Sequence, residues 1–308
     1  MKAIAFVVFV VVQIIFVPLA IVGLVLVAVN QLIVSKRLGV SATAISVIAA
    51  RWRMHVFGMR NDVATKKLYA VLPNGSELGL WLVLFPTYLR YKIYPAKQEP
   101  GTEGMNDVPV VRTFYFDKLI DKEKGKVEQF VTMGAGYDTR SYGDLRKSHL
   151  QFFELDQLNT QKLKIESLQK AGIDFSHVKF ADVNFETEKW YKKLEKAGYN
   201  PNLRTIFLWE GVTIYLSESD VRKTLQEIKS NSAPGSILIT DIYGTRLTSM
   251  GGVKITNEMF RFGLDFSTNY AEDLKTFIAS ENLQLGSFYF MGHHAKKGAI
   301  GVVVEILL

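Results

Sequence analysis

Two glycines, three strand-end carboxylates and one arginine are the residues of this 308-residue chain whose types and spacing suit ligand chemistry. Gly134 and Gly136 stand in "FVTMGAGYDTR", directly after an apolar run. Glycine there lets the backbone turn sharply after a strand and approach a ligand with no β-carbon in the way. A dinucleotide fingerprint would carry its third glycine where Thr139 stands, and Asp138 would set a negative charge against a pyrophosphate. Both features favour a nucleoside that carries a sulfonium and no phosphates.

The carboxylates follow at the interval such a ligand needs. Asp156, in "FFELD", lies 20 residues beyond Gly136, where a strand-end acid accepts hydrogen bonds from ribose hydroxyls, although a helix N-cap would use the same residue. Glu154 shares its strand parity. Asp182, in "FADV", is placed to reach an adenine amino group, with an Asx turn as the alternative. Glu210 emerges from "FLWEGVTIYL" after an apolar stretch; a buried carboxylate is costly without a cation, so the positive end of a methyl donor or Arg112 is its expected partner. Tyr215, on the same segment, is either an acceptor-site phenol or a packing aromatic. His55 is a weaker candidate base, since a helix histidine more often packs or faces water.

These residues need a scaffold of alternating strands and helices. Strand patterns occur at "EQFVTM", "LQFFEL", "VKFADV", "TIFLWE" and "SILITDIY", separated by helical patterns over Gln157–Ala171, Thr187–Ala197 and Glu218–Ser230. Short apolar strands with crossover helices predict a parallel sheet covered on both faces. Leu285–Met291 and Gly301–Leu307, joined by "GHHAKKGAI", read as an antiparallel addition at the sheet edge. Thr43–Tyr69 reads as helical, and Pro95–Pro109 as a breaker-rich loop.

Composition bounds the rest. The chain has no cysteine, which excludes disulfides, iron–sulfur clusters and thiolate zinc sites, and the adjacent His293 and His294 complete no metal site. The net charge of +7 is spread along the chain with no basic tract, so nucleic acid is not an expected partner. Ala3 to Val29 carries no charge and at about 1.5 Å per residue is long enough to cross a hydrocarbon core. It exceeds a signal-peptide core in length, and Lys36, Arg37, Arg51 and Arg53 follow it, so the positive-inside bias predicts a single-pass helix with the C-terminal domain in the cytoplasm. Leu78–Leu89, with Pro86 and flanking Arg90, Lys92 and Tyr94, is short for a span and reads as a membrane-surface helix, a buried helix or a second span.

At these positions the chain resembles the leucine carboxyl methyltransferase-like family of S-adenosylmethionine-dependent enzymes, which also takes in many sparsely characterised bacterial proteins. "TA" at Thr43–Ala44, "RTFYFD" at Arg112–Asp117, "GAGYDTR" at Gly134–Arg140, "FELDQLNTQKL" at Phe153–Leu163, "ADV" at Ala181–Val183 and "EGVTIYLSE" at Glu210–Glu218 carry the likeness, from about Ser41 onward. It implies an α/β fold with a doubly wound, mostly parallel, seven-stranded sheet of the class I methyltransferase type. Residues 1–34 would be a transmembrane anchor, 35–110 a helical cap or membrane-proximal region, and 111–308 the methyltransferase domain. Gly134 and Gly136 would approach the donor, Asp156 hold its ribose, Asp182 lie by adenine, Glu210 sit near the methionyl end, and Arg112 serve the donor carboxylate and an acceptor carboxylate. Lys162 matches a recurring lysine. The membrane helix and the unfamiliar stretch Leu72–Val108 depart from the cytosolic protein-carboxyl methyltransferase. The expected reaction is therefore O-methylation of a small or lipid-like carboxylate or hydroxyl, with Arg112 and Tyr215 at the acceptor. A membrane-associated nucleoside-binding protein without turnover and a nicotinamide oxidoreductase are the competing readings.

Overall fold

A computed structural model describes residues 2–95, 104, 107–185, 187–245, 247, 260–266, 269–294 and 298–308. The chain divides into two compact units: Met1–Gln98 with Tyr137–Gly143 and Lys162–Asp174, and Glu99–Gly136 with Asp144–Gln161 and Phe175–Leu308. The first thus takes in two segments that the sequence reading assigns to the 111–308 domain.

The first unit is built on α1 (Lys2–Ala28), α2 (Ser35–Leu38), α3 (Ala42–Phe57), α4 (Val63–Val71) and α5 (Glu77–Ile93). The stretch Thr43–Tyr69, read as helical, forms two helices. Gly58 takes a left-handed conformation at φ 79° and ends α3, and the Asp62 carboxylate accepts the Thr65 N–H to start α4. His55 contributes to this corner by accepting the Asp62 N–H at Nδ1, 3.0 Å away. The predicted loop Pro95–Pro109 falls largely outside the described residues.

Asp138 of the glycine-turn motif belongs to this unit. Its carboxylate lies 2.9 Å from Arg51 of α3 and also pairs with Arg140. Burial pushes the Asp138 carboxyl up, but Arg140, Arg51 and Lys164 outweigh that and hold it well below the usual carboxylate range. Thr139, the residue that stands in place of a fingerprint glycine, donates to the Asp62 carboxylate at the start of α4. Lys162 is exposed, whereas Lys164, on the same helix, is buried over the Tyr142 ring.

The second unit opens with α6 (Val108–Glu123), started by Pro109 in its first turn, where a missing N–H costs nothing. A seven-stranded sheet follows: β1 (Gln129–Met133), β2 (Gln151–Asp156), β3 (Val178–Asp182), β4 (Thr205–Trp209), β5 (Ile237–Tyr243), β6 (Gln284–Met291) and β7 (Gly301–Leu307). Between them run α7 (Leu158–Lys170), which begins in this unit, α8 (Trp190–Lys196), α9 (Glu218–Ser230) and α10 (Tyr270–Ser280). The strand order is β3-β2-β1-β4-β5-β7-β6; β1 to β5 are parallel, and β7 pairs antiparallel with both β5 and β6.

β7 lies inside the sheet and β6 at its edge, although β6 comes first in the chain. The reason is legible in their side chains: "GVVVEIL" is apolar on both faces and buried nearly throughout, while β6 is half-exposed along its length. The one charge inside β7, Glu305, pairs with Lys122 of α6 at 2.7 Å. Val131, Phe153, Phe207, Trp209 and Leu238 form the centre of the core, each contributing roughly 1.5–3 kcal/mol by burial.

Candidate functional site

Apart from His55 and Lys162, the residues singled out for ligand chemistry lie in the second unit, and most stand in sequence along the carboxyl edge of the sheet. The strand order reverses between β1 and β4, and a crevice outside the carboxyl ends at such a point is where open α/β sheets bind ligands. The register brings Asp156 at the end of β2 opposite Asp182 at the end of β3, with the glycine turn one strand over, after Met133 of β1, and Glu210 one strand beyond, after Trp209 of β4.

The turn itself demands glycine. Gly134 has φ +67°, and a β-carbon there would sit 2.4 Å from Val212 Cγ2. Gly136 has φ +46°, and its N–H donates to Asp156 Oδ2. Asp156 Oδ1 accepts a second backbone N–H, from Gln157, at 2.7 Å. The carboxylate therefore fixes the turn to the end of β2, and since a carboxylate offers about four lone-pair positions, the same group can serve hydroxyl donors. Glu154, which shares its parity, is buried within the sheet.

Asp182 is half-exposed, 3.1 Å from Lys193, and lines a cavity of about 240 Å³ together with Gln157, Val183, Asn184 and Glu188. Amide side chains, carboxylates and the ends of two strands line this cavity, which suits the flat, hydrogen-bonding edge of a base next to a ribose.

At the other end of the row, Glu210 meets Arg112 of α6 at 3.2 Å. The guanidinium also reaches Asp241 Oδ2 at 3.0 Å and donates to the Tyr243 hydroxyl at 2.6 Å, both on β5. Asp241 Oδ1 accepts the Gly211 N–H at 2.8 Å, which pins the turn after β4 to β5. Burial works against the Arg112 charge, but Tyr243, Asp241 and Glu210 outweigh it and push its pKa up, so it stays a cation. Burial raises the Asp241 carboxyl, and Arg112 pulls it partly back.

One guanidinium is shared between two buried carboxylates here. Glu210 thus has Arg112, one of the two partners expected for it, and both terminal nitrogens of Arg112 have protein acceptors. The Tyr215 ring lies 5.7 Å from that of Phe260. The phenol that meets Arg112 is Tyr243, which the sequence reading did not single out. Asp241 was missed as well, although a carboxylate inside the apolar run "ILITDIY" carries the same signal that marks Glu210: a buried anion requires a cation.

The sequence pattern of the family "Leucine carboxyl methyltransferase" matches residues 68–229. A Mycobacterium tuberculosis protein named "Putative S-adenosyl-L-methionine-dependent methyltransferase" is 26% identical over 208 residues, 67% of this chain and 65% of its own length. The match thus spans just under two thirds of that relative. A similarly named Mycolicibacterium smegmatis protein is 32% identical over 152 residues, covering 49% of this chain and 51% of its own. Among solved structures, a magnesium protoporphyrin IX methyltransferase from Synechocystis with bound SAH aligns over 70% of this chain and 91% of its own, at 11% identity and a TM-score of 0.45.

Proposed function

From the chain's membership of the leucine carboxyl methyltransferase family, we propose that it is an S-adenosylmethionine-dependent methyltransferase acting on an oxygen of a small or lipid-like acceptor. The observation that carries this reading is the row along one sheet edge: a β-carbon-free turn at Gly134 and Gly136, carboxylates at Asp156 and Asp182, and the Glu210 carboxylate paired with Arg112. Anions at both ends of the row suit a cationic nucleoside and repel one bearing phosphates.

In this reading Asp156 holds the ribose hydroxyls while keeping the turn in place, and the cavity beside Asp182 takes the adenine. Glu210 lies toward the positive methionyl end, and Arg112 acts here as the positioning residue that holds Glu210 and Asp241 together. When bound, the donor supplies a methyl group whose bond to sulfur breaks as the bond to the acceptor oxygen forms. The protein's share is alignment and exclusion of water. A carboxylate acceptor arrives already ionised and needs no base; a hydroxyl must lose its proton, and Tyr215, on the turn after β4, is the candidate group.

The first unit supplies the membrane side of the proposal. Phe6–Leu38 is the one helical stretch among the described residues long and apolar enough to cross a membrane, and only 11% of its most apolar window is buried. A core helix of a water-soluble protein would be mostly covered. We assign residues 1–34 as the anchor, with 111–308 as the catalytic region in the cytoplasm and a hydrophobic or amphiphilic acceptor drawn from the lipid phase. Incubating the purified full chain with methyl-labelled donor and fractionated membrane extract is expected to place label in the organic-solvent fraction. Label confined to aqueous metabolites would contradict a lipid-like acceptor.

A further inference from the structure

We propose that α1 lies lengthwise in one face of the membrane, packed along the flank of the first unit, and does not cross the bilayer. The inference rests on the membrane reading above and departs from the single-pass arrangement that hydropathy alone predicts.

The contacts fix how α1 runs. Gly23 meets Gly79 so closely that a β-carbon on Gly23 would lie 2.7 Å from the Gly79 carbonyl oxygen. Further along, Phe16 stacks on Phe85 with centroids 4.9 Å apart, and the Arg90 guanidinium sits 5.5 Å from the Phe9 ring. As the α1 numbers fall, the α5 numbers rise, so the two helices are antiparallel neighbours over about two thirds of α1. Small residues at the crossing let the backbones touch, as they do between membrane-embedded helices.

The opposite side of α5 is filled by α3. Trp52 packs on Trp81 at 5.4 Å and donates to Glu77 at 3.2 Å, while Phe57 packs on Tyr88 and Tyr91, each at 5.5 Å. Next to Trp52 on α3 is Arg51, buried and paired with Asp138; near Phe57 is His55, bonded to the Asp62 N–H. A polar protein interior therefore stands abreast of α1 from the level of Gly23 to that of Phe9. Were α1 to cross the bilayer, that network would lie at the depth of the hydrocarbon, where charged side chains and irregular backbone are strongly disfavoured.

Asp138–Arg140 pack on α3 and α4 in the same unit. The charge pattern fits a helix pair lying flat: Lys36 and Arg37 are exposed beyond one end, and Arg90 and Lys92 are exposed at the other. Basic residues at both ends suit anionic headgroups along a surface, with Ile14, Ile15, Ile21 and Val22 facing the acyl chains.

The chain's lack of cysteine makes the test direct. Lys2→Cys, Ile14→Cys and Lys147→Cys, the last at a side chain 81% exposed on the catalytic unit, would each be exposed to a membrane-impermeant maleimide in sealed inside-out membrane vesicles and in intact spheroplasts. The lengthwise arrangement predicts that Lys2→Cys and Lys147→Cys label from the same face, while Ile14→Cys labels only after detergent. Labelling of Lys2→Cys and Lys147→Cys from opposite faces would overturn the lengthwise arrangement and leave the membrane reading standing. Release of the protein by alkaline carbonate, with Ile14→Cys labelled in the absence of detergent, would overturn both.

Discussion

Replacing Arg112 with methionine is expected to destabilise the protein by about 3–5 kcal/mol, the usual cost of stripping the cation from a buried ion pair. Arg112 is the shared partner of Glu210, Asp241 and the Tyr243 hydroxyl, and all four groups are shielded from water. Methionine fills similar space but leaves two carboxylates facing one another, with the Gly211 N–H as the donor retained at Asp241. Arg112→Lys should recover only part of the loss, because a point charge cannot bridge two carboxylates and a phenol as a planar fork does. The pH dependence carries a sign. Burial already raises the Asp241 carboxyl, and removing Arg112 takes away the influence that lowers it. A carboxyl with a raised folded-state pKa loses stability as pH rises through that pKa, so Arg112→Met should gain stability on acidification from pH 8 towards pH 5. Urea unfolding midpoints across that range test both parts. A variant of wild-type stability with a flat pH profile would show that the cluster does not hold β4, β5 and α6 together.

Gly134→Ala is expected to weaken methyl-donor binding more than 100-fold. Two costs coincide at this position. The left-handed backbone at φ +67° costs an L-residue roughly 1–2 kcal/mol, and the new β-carbon would stand 2.4 Å from Val212 Cγ2, a branched and therefore stiff side chain. Overpacking of that kind typically costs a further 1–3 kcal/mol. Relief by backbone movement would shift the Gly136 N–H away from Asp156 and distort the surface against which the donor is expected to lie. The double variant Gly134→Ala/Val212→Ala separates the two costs: the clash is removed, the backbone strain remains, and donor affinity should return only in part. Equal affinities for the single and double variants would assign the whole effect to backbone conformation.

Much of this arrangement is legible in the residues themselves. The apolar runs ending at Met133, Asp156, Asp182 and Trp209 mark the four strands whose ends carry the row, and β1, β2 and β4 are buried nearly throughout, as parallel strands covered on both faces are. The β-carbon-free turn is visible as Gly134 and Gly136, and the isolated Glu210 announces that it needs a cation. What sequence could not show was the sharing of partners over long separations. Arg112 reads as a partner for Glu210 or for a ligand carboxylate, and its further contacts with Asp241 and Tyr243, far along the chain, appear only in the fold. Asp138 reads as a charge aimed at a ligand, yet it is paired with Arg51 and Arg140. Gly23 reads as a tolerated glycine in an apolar helix, and only its contact with Gly79 shows that α1 has a neighbour along its length. In each case the local pattern fixes the residue's chemistry, and packing decides which group answers it.

The claim on which the functional account rests is that Asp156 and the glycine turn together hold a cationic nucleoside. Calorimetric titration of the purified full chain with S-adenosylmethionine, in wild-type and Asp156→Ala forms, tests it most directly. Loss of a charge-assisted hydrogen bond to the ribose is worth about 2 kcal/mol, so the account predicts saturable binding by the wild type and roughly 30-fold weaker binding by the variant. Unchanged affinity in Asp156→Ala, or a wild type that binds a nicotinamide dinucleotide and not the sulfonium donor, would contradict it.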